Sequence, residues 1–358
     1  MSYIIRTDHA FPAQWISGGT NQRIMKLIID QLESALPTTQ RHAFVDTTWL
    51  RFAQLPDVAV DNLFLFGFLD PSLKNNINLP VVANRTIEIG YTTSDYGIPL
   101  DFWAICANQN FKYYKTQELE LTPGKINKFV CYQFKPHFHR QCLVSQLIDA
   151  DLLDQGVISL GQYNHDPDNP DRSQIYLYKN IKPIMVEADE ETASYPGNED
   201  TSGAWQGVHN LYSLGNRDIW QSSFLNIVSE TIFASDRTFV SEKIFKPIVG
   251  MRPFVINGQP SIYQWLENAG FDTFEDLWPD QDLRHSANFT DHCKKIVEIV
   301  RRLSEYSDDD LLSWYKSLRT RLLDNRDRFF AYAIEQEQRA HNMIKHFDSY
   351  ILTKNNCK

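Results

Sequence analysis

Apolar residues in the first third of the chain follow two alternating spacings. Short apolar runs bounded by Pro, Asn, Asp or Gly are typical of β-strands, and four occur here: MSYIIRT, RHAFVDTTWL, DNLFLFGFLD and RTIEIGYTT. After the first run, apolar residues at 24, 27, 28, 32 and 36 recur at a helical spacing. Short apolar strands separated by helices predict a mostly parallel sheet with both faces covered.

A Pro-Gly pair in TPGKIN, residues 122–127, marks a predicted domain boundary, because KFVCYQF begins a new strand directly after it. The next segment, KPHFHRQCLVSQLIDADLL, is predicted to be helical. We expect Leu143, Leu147 and Ile148 to share one face of that helix, with Leu152 further along the same stripe.

The second half of the chain repeats the alternation of strand and helix. SFLNIVSETIF and RPFVING are predicted strands, EKIFKPIVG is a predicted short helix, and SIYQWLENAG is a predicted helix that ends at Gly270. Residues 165–205 are rich in Asp, Asn, Pro, Ser and Glu, which indicates solvated loops. The segment from Asp308 to Phe347 is predicted to form one or two helices.

Composition narrows the class of protein. Of the 358 residues 42% are hydrophobic and 22% are charged. The net charge of −10 argues against a broad surface for nucleic acid, although it leaves open that DNA is a substrate. Five cysteines without a CxxC pair are typical of reduced cytoplasmic thiols. No secretory signal or run of about 20 apolar residues occurs, so we expect a cytoplasmic protein without a membrane span.

Glu242 and Lys243 stand inside an apolar run at a predicted helix start. Unpaired backbone N–H groups there bind phosphate oxygens, and a lysine adds a positive charge. The neighbouring carboxylate can accept hydrogen bonds from two sugar hydroxyls. The alternative is that Glu242 is a favourable first-turn helix residue and Lys243 a solvated one, and the spacing does not choose between them.

Residues 225–262, LNIVSETIFASDRTFVSEKIFKPIVGMRPFVINGQPSI, resemble the donor-binding motif of the α1,3-fucosyltransferases. They also resemble phage and bacterial glycosyltransferase-like proteins that carry Glu-Lys-x-Phe-Lys-Pro. The resemblance implies that Glu242 and Lys243 bind a nucleotide-diphosphate sugar, and Glu230 and Ser241 belong to the same motif.

Departures from the fucosyltransferase pattern limit what is carried over. Thr231 stands where that family has Asn, Asn257 stands where it has Trp, and Lys246-Pro247 has no counterpart there. The resemblance therefore implies a nucleotide-sugar donor without identifying the sugar as fucose.

Basic residues elsewhere are candidates for the donor phosphates. The turn containing Lys135, His137, His139 and Arg140 lies between a predicted strand and helix, and it resembles an Asn-Arg-x-x-Arg-x-His-Arg turn of similar glycosyltransferases. That resemblance implies that Arg140 is a second phosphate ligand, whereas either histidine could equally cap or pack. Arg237 either neutralises the second phosphate or belongs to a loop.

The predicted acceptor side contributes a glycine turn and a general base. Gly18 and Gly19 precede a helix and allow a ligand to approach the backbone. In two-domain glycosyltransferases of the GT-B type this N-terminal loop faces the cleft, which implies that both glycines belong to the donor site, although an ordinary helix-start loop fits as well. Asp46 and Asp8 are favoured as the base among several aspartates at predicted strand ends, and each could instead be a turn or cap residue.

No Asp-x-Asp follows a strand, so we expect no metal and no other cofactor, with Lys243, Arg140 and helix dipoles replacing the cation.

These observations predict an α/β protein with two Rossmann-like domains facing a cleft, the GT-B arrangement. Residues 1–126 would bind the acceptor, 127–303 the nucleotide sugar, and 304–358 would form C-terminal helices that pack back on the first domain. The predicted function is inverting, metal-independent transfer of a sugar to a hydroxyl of a glycan, a lipid-linked sugar or a modified nucleobase. The alternative is a non-catalytic nucleotide-sugar-binding protein; a phosphotransferase is less favoured because no GxxxxGK[ST] loop occurs.

Overall fold

The computed structural model describes part of the chain. The described residues are 3–5, 42–46, 58–66, 81–89, 101–133, 136–161, 184, 214–233 and 238–345. The predicted helix between the first two strands and the predicted loops of 165–205 lie outside these ranges, except for Ile184, which forms an isolated antiparallel bridge with Leu160.

The first sheet contains four parallel strands in sequence order, β1-β2-β3-β4. All four strands predicted from the apolar runs are present, although β3 and β4 begin earlier than the runs that indicated them. The strands are β1 Tyr3–Ile5, β2 His42–Asp46, β3 Val58–Phe66 and β4 Val81–Ile89.

The second sheet is also entirely parallel, with strand order β6-β5-β7-β8. Its strands are β5 Asn127–Cys131, β6 Gly156–Ile158, β7 Ser223–Ser229 and β8 Phe254–Asn257. The chain runs from β5 outward to β6 and then returns past β5 to form β7 and β8 on the other side. The strand order therefore reverses between β5 and β7. Every residue of β7 is buried, as expected for an inner parallel strand, and every residue of β8, at the end of the described sheet, is buried as well.

Helices in two groups accompany the second sheet. In one group α2 packs against α6, which also contacts β5 and β8; in the other, α7 packs against α1, α4 and β7. A 3-10 turn, Glu242–Ile244, continues directly into α4. The helices are α1 Phe102–Phe111, α2 Phe138–Asp149, α3 Arg217–Gln221, α4 Phe245–Val249, α5 Ser261–Asn268, α6 Phe289–Ser304 and α7 Asp308–Lys345.

Two predicted helix features are confirmed and one is wrong. The C-terminal segment forms a single helix of 38 residues, and α5 ends just before Gly270, whose positive φ of 84° suits a helix stop. Ile148, expected on the same face of α2 as Leu143 and Leu147, is 45% exposed, whereas both leucines are fully buried. Consecutive helical residues point about 100° apart, so the burial of Leu147 turns Ile148 outward.

Asp101 ties α1 to the C-terminal helix. Its Oδ1 accepts a hydrogen bond from the Ala104 N–H at 2.9 Å and caps α1, and its own N–H donates to Gln336 Oε1 at 3.1 Å. Tyr332 donates to the second carboxylate oxygen at 3.3 Å. The C-terminal helix thus contacts an element that precedes β5 as well as the second sheet. The domain limits at 126 and 303 stay predictions.

The α/β class with parallel sheets is confirmed. Among the helices of the described ranges, none combines the length and apolar character needed to cross a membrane.

Candidate functional site

The carboxyl edge of the second sheet, where the order reverses between β5 and β7, is the most favourable place for a ligand. In open parallel sheets the connections leave neighbouring strands in opposite directions at such a point, which opens a crevice. Glu230 and Thr231 follow β7 at this edge. We call Glu230, Ser241, Glu242, Lys243 and Lys246 the switch-point cluster.

Glu230 is fully buried and binds the turn that precedes α4. Its Oε2 accepts the Ser241 hydroxyl at 2.7 Å, and its Oε1 accepts the Ser241 N–H at 3.1 Å. Burial raises the pKa of Glu230, while Lys243 opposes the rise. A Cβ at Gly258 would lie 2.9 Å from the Cβ of Glu230, so glycine is required beside it. Glu230 therefore positions Ser241, and direct donor contact stays a prediction.

Ser241 connects Glu230 to Lys243. Because its hydroxyl donates to Glu230, the oxygen is free to accept from the Lys243 ammonium at 3.1 Å and, more weakly, from the Lys243 N–H at 3.4 Å. The ammonium also lies 3.4 Å from Thr231 Oγ1 and 2.9 Å from Glu242 Oε1. Three oxygens thus fix the position of this positive charge.

Glu242 is a buried carboxylate that is only half satisfied. Its side chain is 2% exposed, compared with 26% for Lys243. Oε1 accepts the Lys243 ammonium, whereas Oε2 makes no hydrogen bond within the part of the chain that the structure describes. Oε2 could therefore accept a hydrogen bond from a ligand hydroxyl.

Lys246 adds a second positive charge one helical turn beyond Glu242. Burial lowers its pKa to about 8; Glu242 raises it in opposition and Lys243 lowers it further. The side chain is half-buried, and across the described ranges its ammonium has no hydrogen-bond or ion-pair partner. Sequence reasoning missed this residue, although its i+4 spacing from Glu242 was a usable signal.

His139 and Arg140 of α2 hold the end of β7. Arg140 donates through Nε at 3.2 Å and Nη2 at 2.8 Å to the Glu230 carbonyl, and through Nη2 at 2.9 Å to the Ser229 carbonyl. The His139 Nε2–H donates to the same Glu230 carbonyl at 2.9 Å. Burial, and then the charge of Arg140, lower the pKa of His139 to about 3, so the ring is neutral. A phosphate contact by Arg140 stays a prediction.

The predicted site residues are only partly covered. The structure brings together Glu230, Ser241, Glu242, Lys243 and Arg140 at one edge of the sheet. Asp46 ends β2, where only its backbone is described. Outside the described residues lie Asp8, Gly18, Gly19, Lys135 and Arg237.

Within the described ranges, no group of three or more His, Cys, Asp or Glu residues could hold a metal ion. Metal independence of the reaction stays a prediction.

Comparison of the chain with protein-family models, curated proteins and solved structures finds no match.

Proposed function

We propose that the chain is a glycosyltransferase that binds a nucleotide-diphosphate sugar at the switch-point cluster. The observation that carries the proposal is the ion pair between buried Glu242 and half-buried Lys243, joined at 2.9 Å, with one carboxylate oxygen unpartnered in the described part of the chain. An ammonium suits a phosphate oxygen, and the spare carboxylate oxygen suits a sugar hydroxyl. A nucleotide-diphosphate sugar offers both groups together.

Two further features support the proposal. The cluster lies where the strand order of a parallel sheet reverses, the usual place for nucleotides in such sheets. Residues 225–262 also resemble the donor motif of glycosyltransferases, as described above. The GT-B arrangement of two Rossmann-like domains around a cleft, with the β1–β4 sheet on the acceptor side, is part of the same proposal.

The chemistry follows from these groups. A hydroxyl of the glycan, lipid-linked sugar or modified nucleobase attacks the anomeric carbon, and the bond from that carbon to the diphosphate oxygen breaks. The hydroxyl proton passes to a carboxylate base, for which Asp46 and Asp8 are the candidates. Lys243 stabilises the negative charge of the departing diphosphate without a metal, assisted by Arg140, Lys135 and Arg237. Attack from the face opposite the diphosphate inverts the sugar carbon.

A sugar-nucleotide panel tests this function. We expect one or more nucleotide-diphosphate sugars to raise the melting temperature of the wild-type protein and to be slowly hydrolysed. Glu242→Gln should keep the fold but weaken binding about tenfold or more, because the sugar hydroxyl loses its charged acceptor. Lys316→Ala, at an exposed site on α7, is the matched control and should bind like wild type.

The outcomes separate the candidates. Binding together with hydrolysis or transfer supports the glycosyltransferase, whereas binding without either reaction indicates the non-catalytic alternative. If no sugar nucleotide binds, or if Glu242→Gln binds as wild type does, the donor site is not here.

A further inference from the structure

We infer that Lys246 is a second anion-binding residue of the switch-point cluster, and that Lys243 and Lys246 together select two adjacent anionic groups over one. This inference rests on the proposed donor site and adds a residue to it. The ligand feature it names is a diphosphate rather than a single phosphate or carboxylate.

Helical geometry brings the two lysines to the same region. Residues 242–249 form one continuous helical segment, a 3-10 turn followed by α4. Glu242 and Lys246 are separated by four residues, and side chains with this spacing lie on the same helical face. Lys246 is close enough to both Glu242 and Lys243 for the charge of each to shift the pKa of Lys246.

Other lysines withdrawn from solvent are satisfied by the protein itself. Lys128, which is buried, donates to the Tyr306 carbonyl at 2.9 Å and to Asp308 at 3.2 Å. Lys295, which is half-buried, donates to the Asp282 carbonyl at 2.7 Å and also contacts other oxygens. Lys246 has a comparable burial but no such partner in the described part of the chain. A strongly hydrated ammonium is normally exposed or paired.

The charges of the cluster leave Lys246 uncompensated. Lys243 already pairs with Glu242 at 2.9 Å, and the carboxylate of Glu230 is engaged by Ser241. The i,i+4 pair between Glu242 and Lys246 that the spacing allows is not formed. An incoming anion therefore meets the Lys243 ammonium, which is shared with Glu242, and the Lys246 ammonium, which has no partner among the described residues.

Two ammonium groups explain a preference for two linked phosphates. One phosphate can contact one ammonium closely, whereas the second phosphate of a diphosphate reaches the other ammonium at no further cost in translational entropy. Loss of Lys246 should consequently reduce affinity for a diphosphate much more than affinity for a phosphate.

Isothermal titration with inorganic pyrophosphate and inorganic phosphate tests the inference. Wild type should bind pyrophosphate more tightly than phosphate. Lys246→Gln should lose about tenfold of the pyrophosphate affinity and little of the phosphate affinity. Lys246→Arg should retain most of both, and Lys316→Gln should match wild type. If Lys246→Gln does not fold, Lys246→Met keeps the apolar stem and replaces it.

The results distinguish this inference from the proposed function. Unchanged pyrophosphate binding in Lys246→Gln overturns the role of Lys246, even if sugar nucleotides still bind. Pyrophosphate binding that depends on Lys246 in a protein that binds no sugar nucleotide supports the inference and removes the glycosyltransferase. Failure of wild type to prefer pyrophosphate overturns the inference directly.

Discussion

The switch-point cluster and a cavity beside α5 both concentrate charge, but they satisfy it differently. The cavity has a volume of about 390 Å³ and four carboxylates in its wall. Arg284 binds Glu275 at 2.8 Å and also contacts Glu267. Arg321 binds Asp272 at 2.6 Å and Asp276 at 2.7 Å. Each carboxylate of the cavity therefore has a guanidinium partner.

Under the proposed function, the difference separates charges that serve the fold from charges that would bind a ligand. In the cavity, hydrogen bonds from Arg284 and Arg321 lower the pKa values of Glu267 and Asp276, respectively, so each arginine stabilises the ionised form of its carboxylate. These ion pairs also remain near water. In the switch-point cluster, Glu242 is buried and Lys246 half-buried, and neither is fully paired by the residues that the structure describes. Burial without pairing lowers stability unless a ligand supplies the missing partner.

The sharpest test of this contrast is the removal of Glu230. Glu230→Ala leaves the buried Ser241 N–H and hydroxyl without their acceptor and the Lys243 ammonium with one charge fewer nearby. We expect the free energy of unfolding to fall by about 3–5 kcal/mol, measured by urea denaturation. Glu230→Gln, which keeps an acceptor of the same size, should lose clearly less. A loss below about 1 kcal/mol in Glu230→Ala would contradict the positioning role.

The second-largest effect is expected when the pH is lowered, through the buried His139 beside the switch-point cluster. The pKa of His139 lies near 3 when folded but near 6.5 ordinarily, so the unfolded chain takes up the proton first and stability falls as pH drops below 6.5. Between pH 7 and pH 4 this residue should remove about 3 kcal/mol.

The raised pKa of Glu230 shifts stability in the opposite direction over acidic pH. The effect of His139 is therefore isolated by comparing wild type with a variant that lacks this histidine. His139→Gln can still donate to the Glu230 carbonyl but does not titrate. Its unfolding free energy, measured in urea at several pH values, should therefore fall less steeply on acidification than that of wild type. Equal slopes would show that His139 is not held neutral by burial.

The smallest effect is expected in the cavity. Arg284→Ala removes partly exposed ion pairs to Glu267 and Glu275, which solvent screens, so the free energy of unfolding should fall by about 1 kcal/mol or less. The loss should shrink further in about 1 M salt, where the screening length is only a few ångströms. A salt-independent loss above about 2 kcal/mol would mean that the ion pairs of Arg284 behave like buried charges, and the contrast with the switch-point cluster would be wrong.

Local patterns predicted much of the fold because they reflect local forces. All of the strands read from apolar runs are present, and the segment 242–249 is helical as EKIFKPIVG indicated. Helix α6 was missed although His292, Cys293, Ile296 and Val300 lie buried at helical spacing, a signal the chain does contain. Helix α1 is different: its cap residue Asp101 is held by a partner 235 positions away, which no local window reveals.

The site divides in the same way. Glu242 and Lys243 were identifiable because a charged pair interrupts an apolar run. The roles of Glu230 and Arg140 were not, because both depend on which groups the fold brings beside them. Glu230 faces Ser241, and Arg140 faces backbone carbonyls at the end of β7. Partners distant in sequence decide whether a charge is available to a ligand.

The packing of α7 has a consequence for how the protein is made. This helix, the last described element of the chain, covers α4 and β7 and clasps α1. Until it leaves the ribosome, the apolar surface beneath it has no cover. The second sheet therefore completes its packing only after α7 has been synthesised, and a fragment stopped at residue 303 should need chaperones to stay in solution.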